Sequence, residues 1–493
     1  MLFNSYVFIF LFLPVSLLVY FFFNRKRLTT ASKAWLVLVS LFFYSWWNVK
    51  YLPLIMISII FNYSIGTELC RTTKRKMPFK REEILVFGII VNLLCLAYFK
   101  YVDFFIANIN ILSGTKIPFS NIILPLGISF FTFTQIAFLV DAYRREMKEY
   151  SLLNYSLFVT FFPHLLAGPI IHHREMMSQF DMMKNKIINN RNIFRGVCLF
   201  VIGLFKKVVI ADHFAVYSNN GFNTAETLQF IEAWTASLSY TMQIYFDFSG
   251  YTDMALGISW LFNIGLPINF NSPYKSLNIQ EFWRKWHITL SRFMRDYIYI
   301  SFGGNLTQEL RVLFNLFITF LIGGLWHGAG WTFVMWGFLH GSAMVAFRLW
   351  RRLNINLPKV VSWFITFNFV NAAWVFFRAK SLSNAVQILK GMTGLNGIVL
   401  PSFLPSFLPE RFGFLKGLGS IEFGDYLHAL GGANKFTLCE IAIACAVVFL
   451  TSNSNSIAER IKPTVLSALL MAILTVLSVL MLSQPSEFIY FNF

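Results

Sequence analysis

Long apolar stretches alternate with short polar or basic connections along the whole chain. Crossing the hydrocarbon core of a membrane takes about 20 helical residues, and most of these stretches approach or reach that length. They lie at 5–23, 34–47, 51–66, 84–101, 121–141, 151–171, 192–211, 229–246, 311–325, 329–350, 361–378, 437–451 and 464–482. Gly, Pro and polar residues interrupt some of them, as at 124–127 and 162–164, and such breaks are typical of re-entrant helices. The pattern predicts an all-α, polytopic integral membrane protein of about 10 to 13 transmembrane or re-entrant helices.

Two regions lack the uniform apolar character of a lipid-facing helix. Residues 379–436 contain Pro and many Gly, which predicts an extramembrane loop. Residues 267–310 interleave charged and aromatic side chains, as amphipathic helices do at an interface or along a cavity. We therefore predict one membrane-embedded domain over 1–493. Its parts are N-terminal spans in 1–120, a core in 121–378, the loop 379–436 and C-terminal spans in 437–493.

The composition excludes a soluble, disordered or disulfide-scaffolded chain. Hydrophobic residues make up 56% of the sequence and charged residues 13%, and the mean hydropathy is +0.59. The five cysteines show neither metal-ligand nor CxxC spacing and are interpreted as packing residues.

The net charge of +18 would suggest nucleic-acid binding in a soluble protein. Here the basic residues lie mostly in the connections between apolar stretches, where they hold helix ends at the cytoplasmic face. No nucleic-acid partner is therefore expected. The basic cluster at 25–27 follows the first apolar stretch, which predicts a retained span with its N-terminus outside. The basic loops at 24–33 and 71–83, and the residues near 348–352, are then cytoplasmic. The charge pattern of residues 151–230 does not assign their connections to either face of the membrane.

Polar residues in apolar surroundings are the candidates for chemistry, because an ionisable group at membrane depth costs several kcal/mol. His327 lies among Gly and Trp between two apolar stretches, and His287 follows a basic aromatic segment. Asp247 and Asp253 flank Ser249 beside another apolar stretch. Structural roles stay open for all of them. The histidines suit helix packing or an interface, and the carboxylates suit helix caps or pairs with arginine.

Three further histidines, His164, His172 and His173, lie in or beyond the Pro-broken segment, where packing or solvation is expected. The sequence has no GxSxG elbow, P-loop, HExxH or Gly-rich dinucleotide turn. A metal site is not expected, because His287 and His327 have no Cys or acidic ligand at a recognised spacing. The remaining prediction is intramembrane acid/base chemistry by histidine.

The sequence resembles the membrane-bound O-acyltransferase family, and within it the bacterial alginate O-acetylases and related peptidoglycan and polysaccharide O-acetyltransferases. The similar segments include DFSGYTD at 247–253, WRKWH at 283–287 and WHG at 326–328. Others lie at 124–130, 140–144, 161–163, 167–170, 269–270, 272–274 and 374–379. His164 departs from the family pattern.

The resemblance implies a funnel-like helix bundle in a bacterial inner membrane, with a tunnel in which two histidines meet. It implies that His327 is the catalytic base and His287 a second active-site residue, with no permanently bound cofactor. Acetyl-CoA is the expected cytoplasmic donor. The expected acceptor is an alginate-like extracytoplasmic polysaccharide or a periplasmic relay protein. Substrate contacts are expected at Trp286, Trp326, Asp247, Ser249, Arg284 and Lys285. The basic residues either attract CoA phosphates or snorkel to the interface.

Alternative functions remain. The first is O-acetylation of peptidoglycan. A transporter or flippase for a polysaccharide precursor would need two similar halves, and no internal repeat of fixed period is visible. A scaffold for a secretion complex is a third alternative. The two non-enzymatic functions predict that His327 can be replaced without loss of function.

Overall fold

A computed structural model describes residues 1–70, 79–146, 151–224, 227–402, 421–431, 433–484, 486 and 488–489. The helices in the first half are α1 Leu13–Arg25, α2 Thr29–Ser45, α3 Leu52–Cys70, α4 Arg81–Ser113, α5 Ile128–Tyr143, α6 Leu152–Thr160, α7 Phe162–Leu165, α8 His173–Asp181, α9 Asn190–Phe205, α10 Asp212–Asn223 and α11 Phe230–Leu261. The second half contains α12 Ile279–Lys285, α13 Ile288–Phe293, α14 Glu309–His327, α15 Trp331–Trp350, α16 Lys359–Arg378, α17 Leu382–Met392, α18 Thr437–Leu450, α19 Ser454–Arg460 and α20 Val465–Met481. Segments Phe8–Phe12, Lys206–Ala211 and Met294–Tyr299 are π-helical.

The predicted all-α, polytopic membrane fold is confirmed. Over the described residues, five helical segments are long and apolar enough to cross a membrane, and they are Phe8–Arg25, Val49–Cys70, Arg81–Ser113, Glu309–His327 and Lys359–Arg378. A sixth span results if α18 and α19, which are bent by 60°, count as one. The other helices of the described chain are shorter or less apolar than this test requires. The predicted 10 to 13 helices therefore include many that are not simple spans.

Helices α9 and α11 cross at glycines near the centre of the bundle. A Cβ added to Gly203 would lie 2.5 Å from the carbonyl oxygen of Gly250, and one added to Gly250 would lie 2.8 Å from that of Gly203. Gly196 and Gly257 approach each other in the same reciprocal way. Small residues bring helix backbones into contact in a membrane, where burial of apolar surface cannot drive association. This crossing fixes α11, which is buried over most of its length.

Residues 151–181 enter and leave the bundle on one face. Lys33, near the start of α2, donates hydrogen bonds to Asn154 in α6 at 2.9 Å and to Asp181 at the end of α8 at 2.8 Å. Between these points the chain turns where α6 ends and Pro163 opens α7. The break predicted at 162–164 is present.

Residues 379–436, predicted as a loop, contain secondary structure. Helix α17 begins at Leu382, and strands β1 Ile398–Pro401 and β2 Ile421–Gly424 form a parallel pair. Residues 403–420 and 432 lie outside the described part of the chain. The same is true of 71–78, which make up most of the predicted basic loop 71–83.

Candidate active site

Helices α14 and α15 form a tight hairpin that holds the first candidate histidine. Helix α14 ends at His327, because Gly328 has extended backbone with φ −161° and ψ 151°. A Cβ added to Gly324 would lie only 2.9 Å from Cα of Gly337 on α15. Gly324 and Gly328, on either side of His327, are therefore close-packing residues. Their packing also holds the imidazole inside the bundle.

The His327 side chain lies in an aromatic enclosure and is only 3% exposed. Its ring centroid is 4.9 Å from that of Trp326, 5.1 Å from Trp336 and 5.1 Å from Phe377, all in edge-to-face arrangements. Such walls exclude water and lower the local dielectric, which strengthens any hydrogen bond that the imidazole makes to a reacting group.

His287 lies where the chain turns between α12 and α13. It is fully buried and adopts the left-handed conformation, with φ 43° and ψ 54°. A non-glycine residue in this region costs about 1–3 kcal/mol and persists only where the surroundings impose it. Its ring packs against Phe248 at 4.8 Å and lies 6.3 Å from the ring of Trp326. The structure thus brings both candidate histidines to Trp326.

Asn269 fixes the orientation of His287. Its Oδ1 atom accepts hydrogen bonds from the backbone N–H and the hydroxyl of Thr289, at 3.1 and 3.0 Å, and lies 3.1 Å from Nδ1 of His287. Because an N–H donor identifies this atom as the amide oxygen, Nδ1 must donate to it. We assign the hydrogen to Nδ1 from this network. In the neutral ring, Nε2 then carries the lone pair.

A cavity of about 950 Å³ connects His327 with an exposed basic rim. Apolar side chains form its inner wall, including Trp283, Leu316, Phe320 and Trp336. The rim carries arginines from two separate parts of the chain, Arg284, Arg292, Arg295, Arg348, Arg351 and Arg352. The cavity therefore offers cations at its mouth and an imidazole at its inner end.

Several of these arginines are already paired with carboxylates. A carboxylate oxygen of Glu309 lies 2.8 Å from Nε of Arg348 and 2.6 Å from a terminal nitrogen of Arg352. Arg292 pairs with Glu175, and Arg295 pairs with Asp296. Within the described residues, Arg284 and Arg351 have no carboxylate within 4.0 Å. These two guanidinium groups are therefore the cations at the rim that are available to an anionic ligand.

Of the predicted substrate-binding residues, some lie at the cavity or beside the two histidines and others do not. Arg284 lines the cavity, and Trp326 contacts both histidines. Trp286 is not among the lining residues, and its ring packs on Trp374 at 4.9 Å. Lys285 is also absent from the lining, and it pairs with Glu281 at 2.7 Å.

The predicted acidic segment on α11 forms a buried ionic cluster. Lys207 lies 2.6 Å from Asp247 and 2.7 Å from Asp212. Lys206 pairs with Asp253 at 2.7 Å and donates to the hydroxyl of Ser249 at 3.3 Å. Neither Asp247 nor Ser249 lines the cavity. The contacts of Asp247 are those of an ion pair, with lysine rather than the arginine considered from the sequence, and its predicted contact with substrate stays a prediction.

The remaining predicted histidines also lie in packed or polar surroundings. His164 and His173 are buried, and the ring of His173 packs on Phe158 at 5.0 Å. Nδ1 of His172 lies 2.9 Å from the hydroxyl of Tyr297.

Another buried histidine, which was not predicted from the sequence, packs against two residues of the cavity wall. His340 on α15 is fully buried, and its Nδ1 accepts a hydrogen bond of 3.2 Å from the indole N–H of Trp283. Its ring lies 4.7 Å from that of Trp336, which also contacts His327. An imidazole within the apolar stretch 329–350 was the signal that could have identified it.

The described residues contain no group of three or more His, Cys, Asp or Glu side chains that could hold a metal ion.

A family profile and individual relatives point to the same protein family. The membrane-bound O-acyltransferase family profile matches residues 41–382. The chain is 47% identical to a peptidoglycan O-acetyltransferase of Helicobacter pylori, over 100% of this chain and 98% of the relative. It is 39% identical to a probable alginate O-acetylase of Pseudomonas aeruginosa, over 80% of this chain and 75% of the relative. A teichoic acid D-alanyltransferase of Bacillus subtilis is 28% identical over 53% of this chain and 71% of the relative.

The matched segment contains the α14–α15 hairpin, both candidate histidines and the whole cavity lining. The resemblance inferred from the motifs is therefore confirmed, together with the expectation of an enzyme. The chain belongs to the membrane-bound O-acyltransferase family and is a multi-pass membrane O-acyltransferase.

Proposed function

We propose that the cavity takes acetyl-CoA from the cytoplasm and presents its thioester to His327. The observation that supports this donor is one continuous cavity between exposed arginines and a buried imidazole. Arginine binds phosphate through paired N–H donors, so Arg284 and Arg351 suit the phosphates of CoA. The apolar inner wall suits the pantetheine arm, and the volume lies at the upper end of the range for small-molecule pockets.

In this proposal His327 is the general base. Its imidazole accepts the proton of the acceptor hydroxyl while the hydroxyl oxygen attacks the thioester carbonyl carbon. The tetrahedral intermediate then loses its C–S bond, the ester remains on the acceptor, and the sulfur takes the proton from the imidazolium. CoA leaves as the free thiol.

His287 orients the acceptor in this mechanism. Its Nδ1–H is directed to Asn269, so Nε2 is a hydrogen-bond acceptor. An acceptor nitrogen can hold a hydroxyl, whereas an oxyanion needs a donor. Because the single proton of the attacking hydroxyl goes to His327, Nε2 of His287 would accept a hydrogen bond from a second hydroxyl of the acceptor. Of the two roles considered for His287, orientation of the acceptor therefore fits the tautomer better than stabilisation of the oxyanion.

We infer that the acceptor is a hydroxyl of peptidoglycan outside the bacterial inner membrane, reached directly or through a relay protein. The support is the Helicobacter pylori relative, which matches over the whole chain. Alginate, which the sequence motifs placed first, is the second candidate. It is supported by the Pseudomonas aeruginosa relative over 80% of this chain.

The donor is tested with membranes that contain the protein and radiolabelled acetyl-CoA. We expect free CoA and polymer-bound label to form together, and only when an acceptor is present. Label transfer at the same rate in membranes of a His327→Ala variant would contradict the mechanism.

The acceptor is tested in cells. Ester-linked acetate is released by mild alkali from purified peptidoglycan and, separately, from extracellular polysaccharide. We expect deletion of the protein to remove ester from peptidoglycan. Loss of ester from the polysaccharide alone would make that polymer the acceptor.

A further inference from the structure

The C-terminal end of α14 lies inside the protein at a place where its carbonyl groups need partners. The last four carbonyls of an α-helix have no N–H donor within the helix. Trp326 and His327 are buried, so another part of the protein must supply most of these bonds. The carbonyls concerned belong to the residues that end in His327.

Two consecutive residues of α4 provide the missing donors. The hydroxyl of Tyr101 donates to the carbonyl oxygen of Leu325 at 2.6 Å. The ammonium group of Lys100 donates to the carbonyl oxygens of Trp326 and His327, at 2.5 and 3.1 Å. Three consecutive carbonyls at the end of α14 are thereby tied to one helix.

The charge of Lys100 is not neutralised by a carboxylate. Over the residues that the structure describes, no Asp or Glu oxygen lies within 4.0 Å of its ammonium group. Its other contacts are the Ser129 hydroxyl at 3.3 Å and the Trp326 ring, whose centroid is 5.8 Å away. A helix C-terminus carries partial negative charge, which favours a cation at this point. The carbonyl ends of α14 are thus its main electrostatic partner.

A third contact ties α4 to the other side of the hairpin turn. The indole N–H of Trp331, the first residue of α15, donates to the side-chain oxygen of Asn108 on α4 at 2.9 Å. Helix α4 therefore holds both the end of α14 and the beginning of α15.

We propose that Lys100 and Tyr101 are positioning residues for the acyl-transfer reaction. By binding the last carbonyls of α14, they fix the backbone from which the His327 imidazole projects. This inference rests on the proposed role of His327 as the base. It does not depend on the identity of the donor or the acceptor.

The proposal predicts an effect on turnover rather than on donor binding. A base displaced by about 1 Å can lower a rate by about 100-fold. Neither Lys100 nor Tyr101 lines the donor cavity, so KM for the donor should not change. We expect Lys100→Met to lower kcat by about 10- to 100-fold. Lys100→Arg keeps a cation with N–H donors and should restore part of this loss.

The experiment measures kcat and KM for radiolabelled acetyl-CoA in membranes, normalised to the amount of folded protein. Ester-linked acetate in the cell envelope gives a second readout that does not depend on the donor. Lys33→Met is the matched control, because it removes a lysine that pairs with Asp181 far along the chain from the hairpin. It should leave kcat unchanged.

A combined variant separates positioning from a general structural role. If Lys100 acts through the base, Lys100→Met should lower the activity of a His327→Ala protein no further. A kcat of Lys100→Met within twofold of the unmodified value, or a rise in KM without loss of kcat, would overturn the proposal.

Other variants test the proposal if Lys100→Met does not fold or if His327 is not the base. Should Lys100→Met fail to fold, Tyr101→Phe decides, with an expected 3- to 10-fold loss of kcat at normal yield, and an unchanged kcat overturns the proposal. An active His327→Ala would contradict the proposed function, and with it the basis of this inference. An inactive His327→Ala with a normal Lys100→Met would contradict the positioning role alone.

Discussion

The side chains of Asn269 and His287 are joined by a hydrogen bond of 3.1 Å between Oδ1 and Nδ1. Both are fully buried, and the same amide oxygen also binds Thr289 at the start of α13. One amide group therefore sets the tautomer of a candidate active-site histidine and the start of the following helix.

This relationship predicts that Asn269 acts on the reaction through His287. Asn269→Ala removes the acceptor of the Nδ1 hydrogen and lets the ring rotate or change tautomer. We expect about a 10-fold loss of kcat, comparable with that of His287→Ala, since residues that orient a functional histidine at metal sites typically contribute about 10- to 100-fold. The double variant should be hardly worse than either single one. Asn368→Ala, which removes a bond to a carbonyl of its own helix, is the control.

His327→Ala should remove the contribution of a general base, about 10²- to 10⁴-fold in rate, while the protein still accumulates in the membrane. His287→Ala should cost less. Combined with His327→Ala, it should add little, because residues that act as a unit are strongly non-additive. The measurement is alkali-released acetate in the envelope together with protein recovered from membranes. If His327→Ala kept near-normal acetylation, or lost acetylation only in proportion to the protein missing from the membrane, His327 would have a packing role and not a catalytic one.

Arg284→Gln and Arg351→Gln should each raise KM for acetyl-CoA by about 3- to 10-fold, because a hydrogen bond to a charged group contributes about 1.5–3 kcal/mol and the exposed rim weakens it. The effect should shrink as the salt concentration rises. Kinetics of label transfer give both quantities. Arg311→Gln, on α14 but absent from the cavity lining, serves as the control and should leave KM unchanged. If Arg284→Gln and Arg351→Gln had the same KM for acetyl-CoA as the Arg311→Gln control, the arginine rim would not bind the donor.

The buried cluster around Lys207 should determine stability rather than substrate binding. Lys207→Met leaves the buried carboxylate of Asp247 and the partly buried carboxylate of Asp212 without their cation, and breaking a buried ion pair in this way costs about 3–5 kcal/mol. A second change, Asp247→Leu, should recover part of that stability. Thermal unfolding in detergent measures both effects. A normal unfolding temperature combined with a raised KM would instead support the prediction that Asp247 contacts substrate.

Sidedness can be tested with single cysteines in a cysteine-free background. We expect Cys at Lys116, in the exposed connection after α4, to react with an impermeant reagent from outside. Lys184→Cys lies just after α8, whose last residue Asp181 binds Lys33. This cysteine should react with the impermeant reagent only after the membrane is permeabilised. The reason is the positive-inside rule, applied to the basic cluster at 25–27. The reverse labelling pattern would invert the proposed orientation.

The sequence by itself determined the fold class and the enzyme family. A membrane admits few structures other than helices, so the long apolar stretches were sufficient to predict an all-α polytopic chain. Ordered local motifs, such as WHG at 326–328, were sufficient to indicate the family.

Only the tertiary structure decided which polar residues meet. Asp247 pairs with Lys207, a partner that local sequence did not define, and it lies outside the lining of the cavity to which Arg284 contributes. Lys100 and His327 are more than two hundred residues apart, yet one binds the carbonyl of the other. A periodic pattern reports which face of a helix is apolar. The partner of a buried polar group is set by packing between distant helices, and local periodicity carries no information about it.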